Sequence, residues 1–170
     1  MTGAVKLKND NGKIAYYFDK TSSIRSEEEV NSFFTFVIIY RRLEPAGVGR
    51  FFTSSVANRM FASHQATITV WHNEAWIRHP GYNADTGIEF LVGINNNNLK
   101  DIFDFRRMEK QVDKSTTGVN AWGKVVIGKP QSDGIGESAE VFVYEAIAFN
   151  RVLNADELTT IKNVFRAIYF

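Results

Sequence analysis

The sequence predicts an all-β sandwich, and three observations carry that expectation. Aromatic residues are plentiful, with 14 Phe, 6 Tyr and 3 Trp among 170 residues, and such rings favour pleated, half-buried surfaces. Short apolar runs of strand length recur along the chain, separated by Gly, Pro, Asn and Asp, the rhythm of a two-sheet sandwich. No internal repeat and no Pro/Gly/Ser linker divides the chain, so residues 1–170 read as a single domain with one main core.

Lys13 to Phe18 reads as a strand after the Asn11-Gly12 turn, a pair that tolerates positive φ. Phe33 to Arg42 reads as a central strand, because Phe34, Phe36, Ile38 and Tyr40 line one face while Phe33, Val37 and Ile39 line the other. Pro45, Gly47 and Gly49 break that run, and Arg50 to Ser54 resumes it. The acidic stretch Ser26 to Val30, with Glu27, Glu28 and Glu29, reads as a solvated loop or a single helical turn. Ala66 to Trp71 alternates, with Ile68 and Val70 read as inward and Trp71 on the opposite face; Ala75 to Arg78 can pair back with it. Ile88 to Ile94 sets Ile88, Phe90, Val92 and Ile94 on one face. Asp101 to Arg107 and Val125 to Ile127 are shorter candidates, and Ala139 to Phe149 is the long last strand. A short C-terminal helix follows: Asn154 caps it, Glu157 completes a capping box, and Leu158, Ile161, Val164, Phe165 and Ile168 form an apolar stripe.

Composition excludes several classes of partner. Twenty basic against 19 acidic residues give a net charge of +1, far from the excess that a phosphate backbone demands, so nucleic acid is not expected. No run approaches the 18 or so apolar residues of a membrane span, and no apolar h-region follows Met1. The expectation is a protein made in the cytoplasm without an export signal. With no cysteine, disulfides, thiolate metal sites and Cys nucleophiles are ruled out.

The segment Glu140 to Leu158 resembles the closing signature of laminin G-like, concanavalin A-like domains. In that family a final strand bearing a Glu, here Glu145, enters an aromatic-Asn-Arg-x-Leu turn, here Phe149-Asn150-Arg151-Val152-Leu153, and then a short helix. Val126-Ile127-Gly128 resembles the family's penultimate strand end, and Ala15 to Ile24 its opening strand. The resemblance implies a two-sheet antiparallel jelly roll. It leaves calcium open, through Asn83, Asp85 and Asn95 to Asn98; otherwise no cofactor is expected.

Glucanases on this fold carry Glu-x-Asp-x-x-Glu on one strand, whose acids act as nucleophile and general acid. Here position 142 is Phe, and Glu140 and Glu145, five apart, are expected on opposite faces of the strand. No catalysis is expected. His64, His72 and His79 show no ligand spacing. Trp71, Trp76, His79 and Tyr82 gather around one hairpin, and with Asn96 they form the candidate contact surface, since flat rings beside polar groups suit a sugar ring or a protein partner. Two non-catalytic functions follow. The first is a structural component of a bacteriophage virion, a decoration, tail or fibre protein working as part of an oligomer or larger assembly. The second is a lectin-like module that binds a cell-surface glycan. Both place it on a virion or an extracellular surface.

Overall fold

The computed structural model describes residues 4–43, 49–56, 59–64, 68–72, 76–78, 87–96, 99–106, 109–113, 121–129 and 138–170. The elements are β1 (Lys6–Asp10), β2 (Lys13–Phe18), β3 (Ser23–Val30), β4 (Phe34–Arg42), β5 (Phe52–Ser54), β6 (Met60–His64), β7 (Ile68–His72), β8 (Trp76–Arg78), β9 (Ile88–Asn96), β10 (Leu99–Asp104), β11 (Glu109–Asp113), β12 (Gly123–Gly128), β13 (Val141–Phe149) and the helix α1 (Ala155–Tyr169). Among the described residues one sheet has seven strands in the order β1-β2-β13-β4-β9-β10-β11 and the other six in the order β3-β12-β5-β6-β7-β8. Every strand pair is antiparallel. The expected two-sheet sandwich with a C-terminal helix is the observed architecture.

Three layers result: the six-stranded sheet, the seven-stranded sheet and α1. The two spaces between them are filled by alternate residues of the same strands. Phe34, Phe36, Ile38 and Tyr40 of β4 enter the space between the sheets with Phe18, Phe52, Phe61, Leu91 and Trp122. Val37 and Ile39 enter the helix-side space with Phe90, Val92 and Ile94. Thus β4 is apolar on both faces because both faces are covered, as its sequence predicts. The inner core is an aromatic stack in which Phe36 meets Trp122 edge-on at 4.8 Å between centroids and Phe52 at 5.0 Å. Such pairs add about 0.5–1.5 kcal/mol each beyond the area they bury.

Two turns need glycine or asparagine. Asn11 and Gly12 close the β1–β2 hairpin at φ of 53° and 85°, the paired left-handed values of a type I′ turn. Gly128 ends β12 at φ of 93°, where a Cβ would overlap the Ser22 carbonyl oxygen and the Phe18 ring.

Several expectations are corrected. Ser26 to Val30 belongs to β3 and is neither loop nor helix; its glutamates are exposed because β3 is an edge strand, where charge deters further pairing. The strand expected at Asp101 to Arg107 is β10, two residues earlier in register, and β9 and β10 are joined as a hairpin. The strand expected at Ala66 to Trp71 is seen as β7 from Ile68 to His72, with Trp71 opposite Phe61 of β6. In α1 the stripe that meets the sheet is Leu158, Ile161, Phe165 and Tyr169, whereas Val164 and Ile168 are about half exposed.

Candidate functional site

The segment that carries the family resemblance does architectural work. Asn150 accepts from the Asn31 amide at 2.9 Å and donates to the Glu29 carbonyl at 3.1 Å, while Asn31 donates back to the Asn150 carbonyl. The Thr35 hydroxyl donates to the Arg151 carbonyl and accepts from the Leu153 amide. These bonds clamp the turn after β13 to the start of β4. Arg151 then grips Glu157 through both guanidinium nitrogens at 2.6 and 2.8 Å, and Asn154 and Glu157 exchange the two bonds of the capping box. Held by Arg151 and the Asn154 amide, the Glu157 carboxyl is drawn down to about 2.

A register shift in β13 between Val143 and Glu145 changes the reading of its acids. Phe142 and Tyr144 face the helix. The shift brings Glu145 to that same face, where it accepts from the Tyr169 hydroxyl at 2.8 Å. Glu140 accepts from Tyr17, whose ring packs on Phe142. The two acids therefore do not alternate across the sheet as expected, and Glu145 holds the helix. A third acid, Asp10, is buried beneath Arg41 and the Tyr144 hydroxyl, and the Arg41 guanidinium holds its carboxyl below the usual range. Burial, reinforced by these carboxylates, pushes the Tyr17 and Tyr144 hydroxyls up to about 12. Each polar group here is satisfied by a neighbour, which marks the cluster as the pinning of α1 and β1 to the sheet.

Sequence reasoning missed Glu89 and Asp104. Both are 1% exposed, and the β9–β10 register, with Asp104 opposite Leu91, sets them diagonally on adjacent strands. Glu89 is paired with Arg106 at 2.9 Å. Two carboxylates without accessible surface offer no groove to a substrate. The sequence signal for Glu89 was an acid beside the apolar run Phe90-Leu91-Val92.

The solvent-facing concavity lies elsewhere. A cleft of about 470 Å³ opens between the first half of α1 and strands β9 and β10. Its floor is Ile94, Phe103 and Phe105, with the two Phe rings 5.6 Å apart and tilted by 50°. Asn96 and Asp101 from the sheet and Thr159 and Lys162 from the helix ring the opening. An amide, a carboxylate, a hydroxyl and an ammonium converge over apolar rings, a composition that suits a small amphipathic ligand in the usual size range.

Of the expected contact residues, Asn96 is exposed and lines this cleft. Trp71 stands opposite Ile77 and Trp76 opposite His72. His79 and Tyr82 lie outside the described residues, as do Asn83, Asp85, Asn97 and Asn98. Asn95 is fully buried and donates to the Ser32 carbonyl at 2.6 Å. Among the described residues no three His, Asp or Glu side chains gather as a metal site.

No protein-family model matches the sequence, and no curated protein is similar to it. Solved structures are similar to it in fold. Domain 4 of AbnA, an extracellular GH43 arabinanase of Geobacillus stearothermophilus, in complex with arabinotriose, superposes at a TM-score of 0.70 and 12% identity over 94% of this chain and 82% of that one. The heptameric SAP-like pentraxin of Limulus polyphemus gives 0.61 at 11% identity, over 93% and 80%. The binding domain of botulinum neurotoxin DC, in complex with SialylT, gives 0.66 at 14% identity over 96% of this chain but only 45% of that one. The chain therefore has a two-sheet jelly-roll fold of the concanavalin A-like type. Part of the sialidase of Trypanosoma rangeli, 22% of that chain, is also similar in fold, at a TM-score of 0.53 and 15% identity over 76% of this chain.

Proposed function

We propose that the chain is a lectin-like, non-catalytic module that binds a glycan in the cleft beside α1. The observation that carries this reading is the cleft itself: Phe103 and Phe105 offer flat apolar surface to the C–H face of a sugar, while Asn96, Asp101, Thr159 and Lys162 offer donors and acceptors to its hydroxyls. The fold adds support, since domains of the same shape are seen with arabinotriose and SialylT bound. The burial of Glu89 and Asp104 and the engagement of Glu140 and Glu145 by tyrosines support binding without hydrolysis. The hairpin carrying Trp71, Trp76, His79 and Tyr82 is proposed as a second contact surface for a longer glycan.

Titration calorimetry against arabino-oligosaccharides and sialylated oligosaccharides tests this. Binding is expected in at least one series, weakened about tenfold by Asn96→Ala, the loss of one good polar contact. Binding that survives Phe103→Ala, Asn96→Ala and Lys162→Ala together would move the site to the hairpin, where Trp76→Ala is the deciding variant.

Assembly into a virion is a second reading, favoured by apolar surface left open: Val164 and Ile168 on α1 and Phe170 just after it are each at least 50% exposed, and such clusters are covered in assemblies. Light scattering after size exclusion distinguishes the readings, a monodisperse monomer counting against assembly.

A further inference from the structure

The last strand is only half paired on one side. β13 pairs with β4 from Val141 to Phe149, but with β2 only from Val141 to Val143. Past the register shift at Val143/Glu145 no strand among the described residues pairs with its outer edge. That edge, Glu145-Ala-Ile-Ala-Phe149, contains no Pro, Lys or Arg, the residues that usually blunt an open edge.

Beside it lies a second groove, of about 320 Å³, where the two sheets part. Ile24, Val125 and Ile127 of the six-stranded sheet form one wall, and Ala146 and Ala148 form the other. The alanines pair with Ile38 and Phe36 of the inner core, so they stand on the inter-sheet face, yet both are exposed. Side chains this small leave the space unfilled. Asn150, which also lines the groove, ties the end of β13 to Glu29 and Asn31. Its rim carries Glu28 and Glu29 against the single cation Arg25.

We propose that this edge is a strand-addition site for an extended peptide segment from a partner, with apolar residues at alternate positions and basic residues between or beside them. Main-chain bonds to Ala146–Phe149 would supply affinity, and alternate side chains would fill the gap over Ala146 and Ala148, the usual division of labour in such docking. Four edge residues at about 3.3 Å each span about 13 Å, the length of about four residues of an extended segment. The charge of the rim selects the partner: a second copy of this chain would bring one Glu27–Glu29 run against another, whereas a basic segment is attracted. This site stands independently of the glycan reading.

The probe is a fluorescein-labelled set of heptapeptides alternating Val or Leu with Lys, with Glu in place of Lys as the control, titrated by anisotropy at low salt. The Lys series is expected to bind at least tenfold tighter than the Glu series, and N-methylation of one alternate set of amides to weaken it more than methylation of the other. Ala146→Leu and Ala148→Leu, at exposed positions, should weaken binding about tenfold with unchanged circular dichroism and unchanged glycan titration. Equal binding of the two peptide series, no binding at all, or binding indifferent to Ala148→Leu overturns the proposal. So does a concentration-dependent dimer that Ala148→Leu dissociates, which would give the edge to a second copy.

Discussion

The two spaces flanking the seven-stranded sheet are filled by the same strands, yet they are held together differently. Between the sheets, Phe34, Phe36, Phe52, Phe61 and Trp122 are all 1% exposed or less, and their cohesion is apolar burial and ring packing. On the other side no residue of α1 is fully buried, a cleft stays open beside it, and the contacts include Tyr169 to Glu145, Lys13 to the Ile168 carbonyl and Arg166 to the Phe105 carbonyl. The sheet pair is a core; the helix is a cover pinned by polar bonds. A cover of that kind has low local stability, and it can border a binding cleft for the same reason.

The largest test of the contrast is Phe36→Ala, expected to cost about 3–5 kcal/mol because it opens a cavity among four rings. Its counterpart Phe165→Ala, half-buried under the helix, should cost about 1–2 kcal/mol, since less apolar area returns to water. Equal losses in urea melts would erase the distinction between core and cover.

Alkaline titration sharpens it next. The Tyr17 and Tyr144 hydroxyls are pushed up to about 12, so the stability gained by keeping them neutral is full below the ordinary tyrosine value near 10 and is lost as pH rises through about 12. The helix signal at 222 nm should fall in that window, and Tyr169→Phe, which removes one pin, should bring the fall to lower pH. A helix signal flat to pH 12 would show that the pins are idle.

The smallest expected effect is at the helix start. Glu157, held down at about 2, contributes stability that is present above the ordinary carboxylate value and lost as pH falls from about 4.5 toward 2. Glu157→Gln should lower the melting temperature by about a degree or two at pH 7 and by progressively less as pH falls toward 2. An unchanged difference at both pH values would mean that the charge is not what holds the turn.

The double-sided apolar pattern of Phe34 to Tyr40 located the central strand, and Asn154 with Glu157 located the helix start, because both signals sit within a few residues. The glutamates of β3 misled, since an edge strand with one face in water looks like a loop in its charges. Glu145 misled because the irregularity at Tyr144 leaves no mark in composition. Val164 and Ile168 misled because helical periodicity predicts a stripe without saying how far the helix will tilt onto its sheet. In the candidate site Asn96 was found, but Phe103, Phe105 and Lys162 were not, since they come together from β10 and α1, nearly sixty residues apart between Phe103 and Lys162.

By itself the sequence determined the fold class, the single central strand, the capped helix and the clamped turn from Phe149 to Leu153. All of these depend on residues near one another in the chain or on side-chain alternation. Only the tertiary structure decided which face Glu145 takes, where the β13 edge is left unpaired, and where the cleft opens. Those depend on register and on the distance between layers, which are set by the sum of many long-range contacts and by no local pattern.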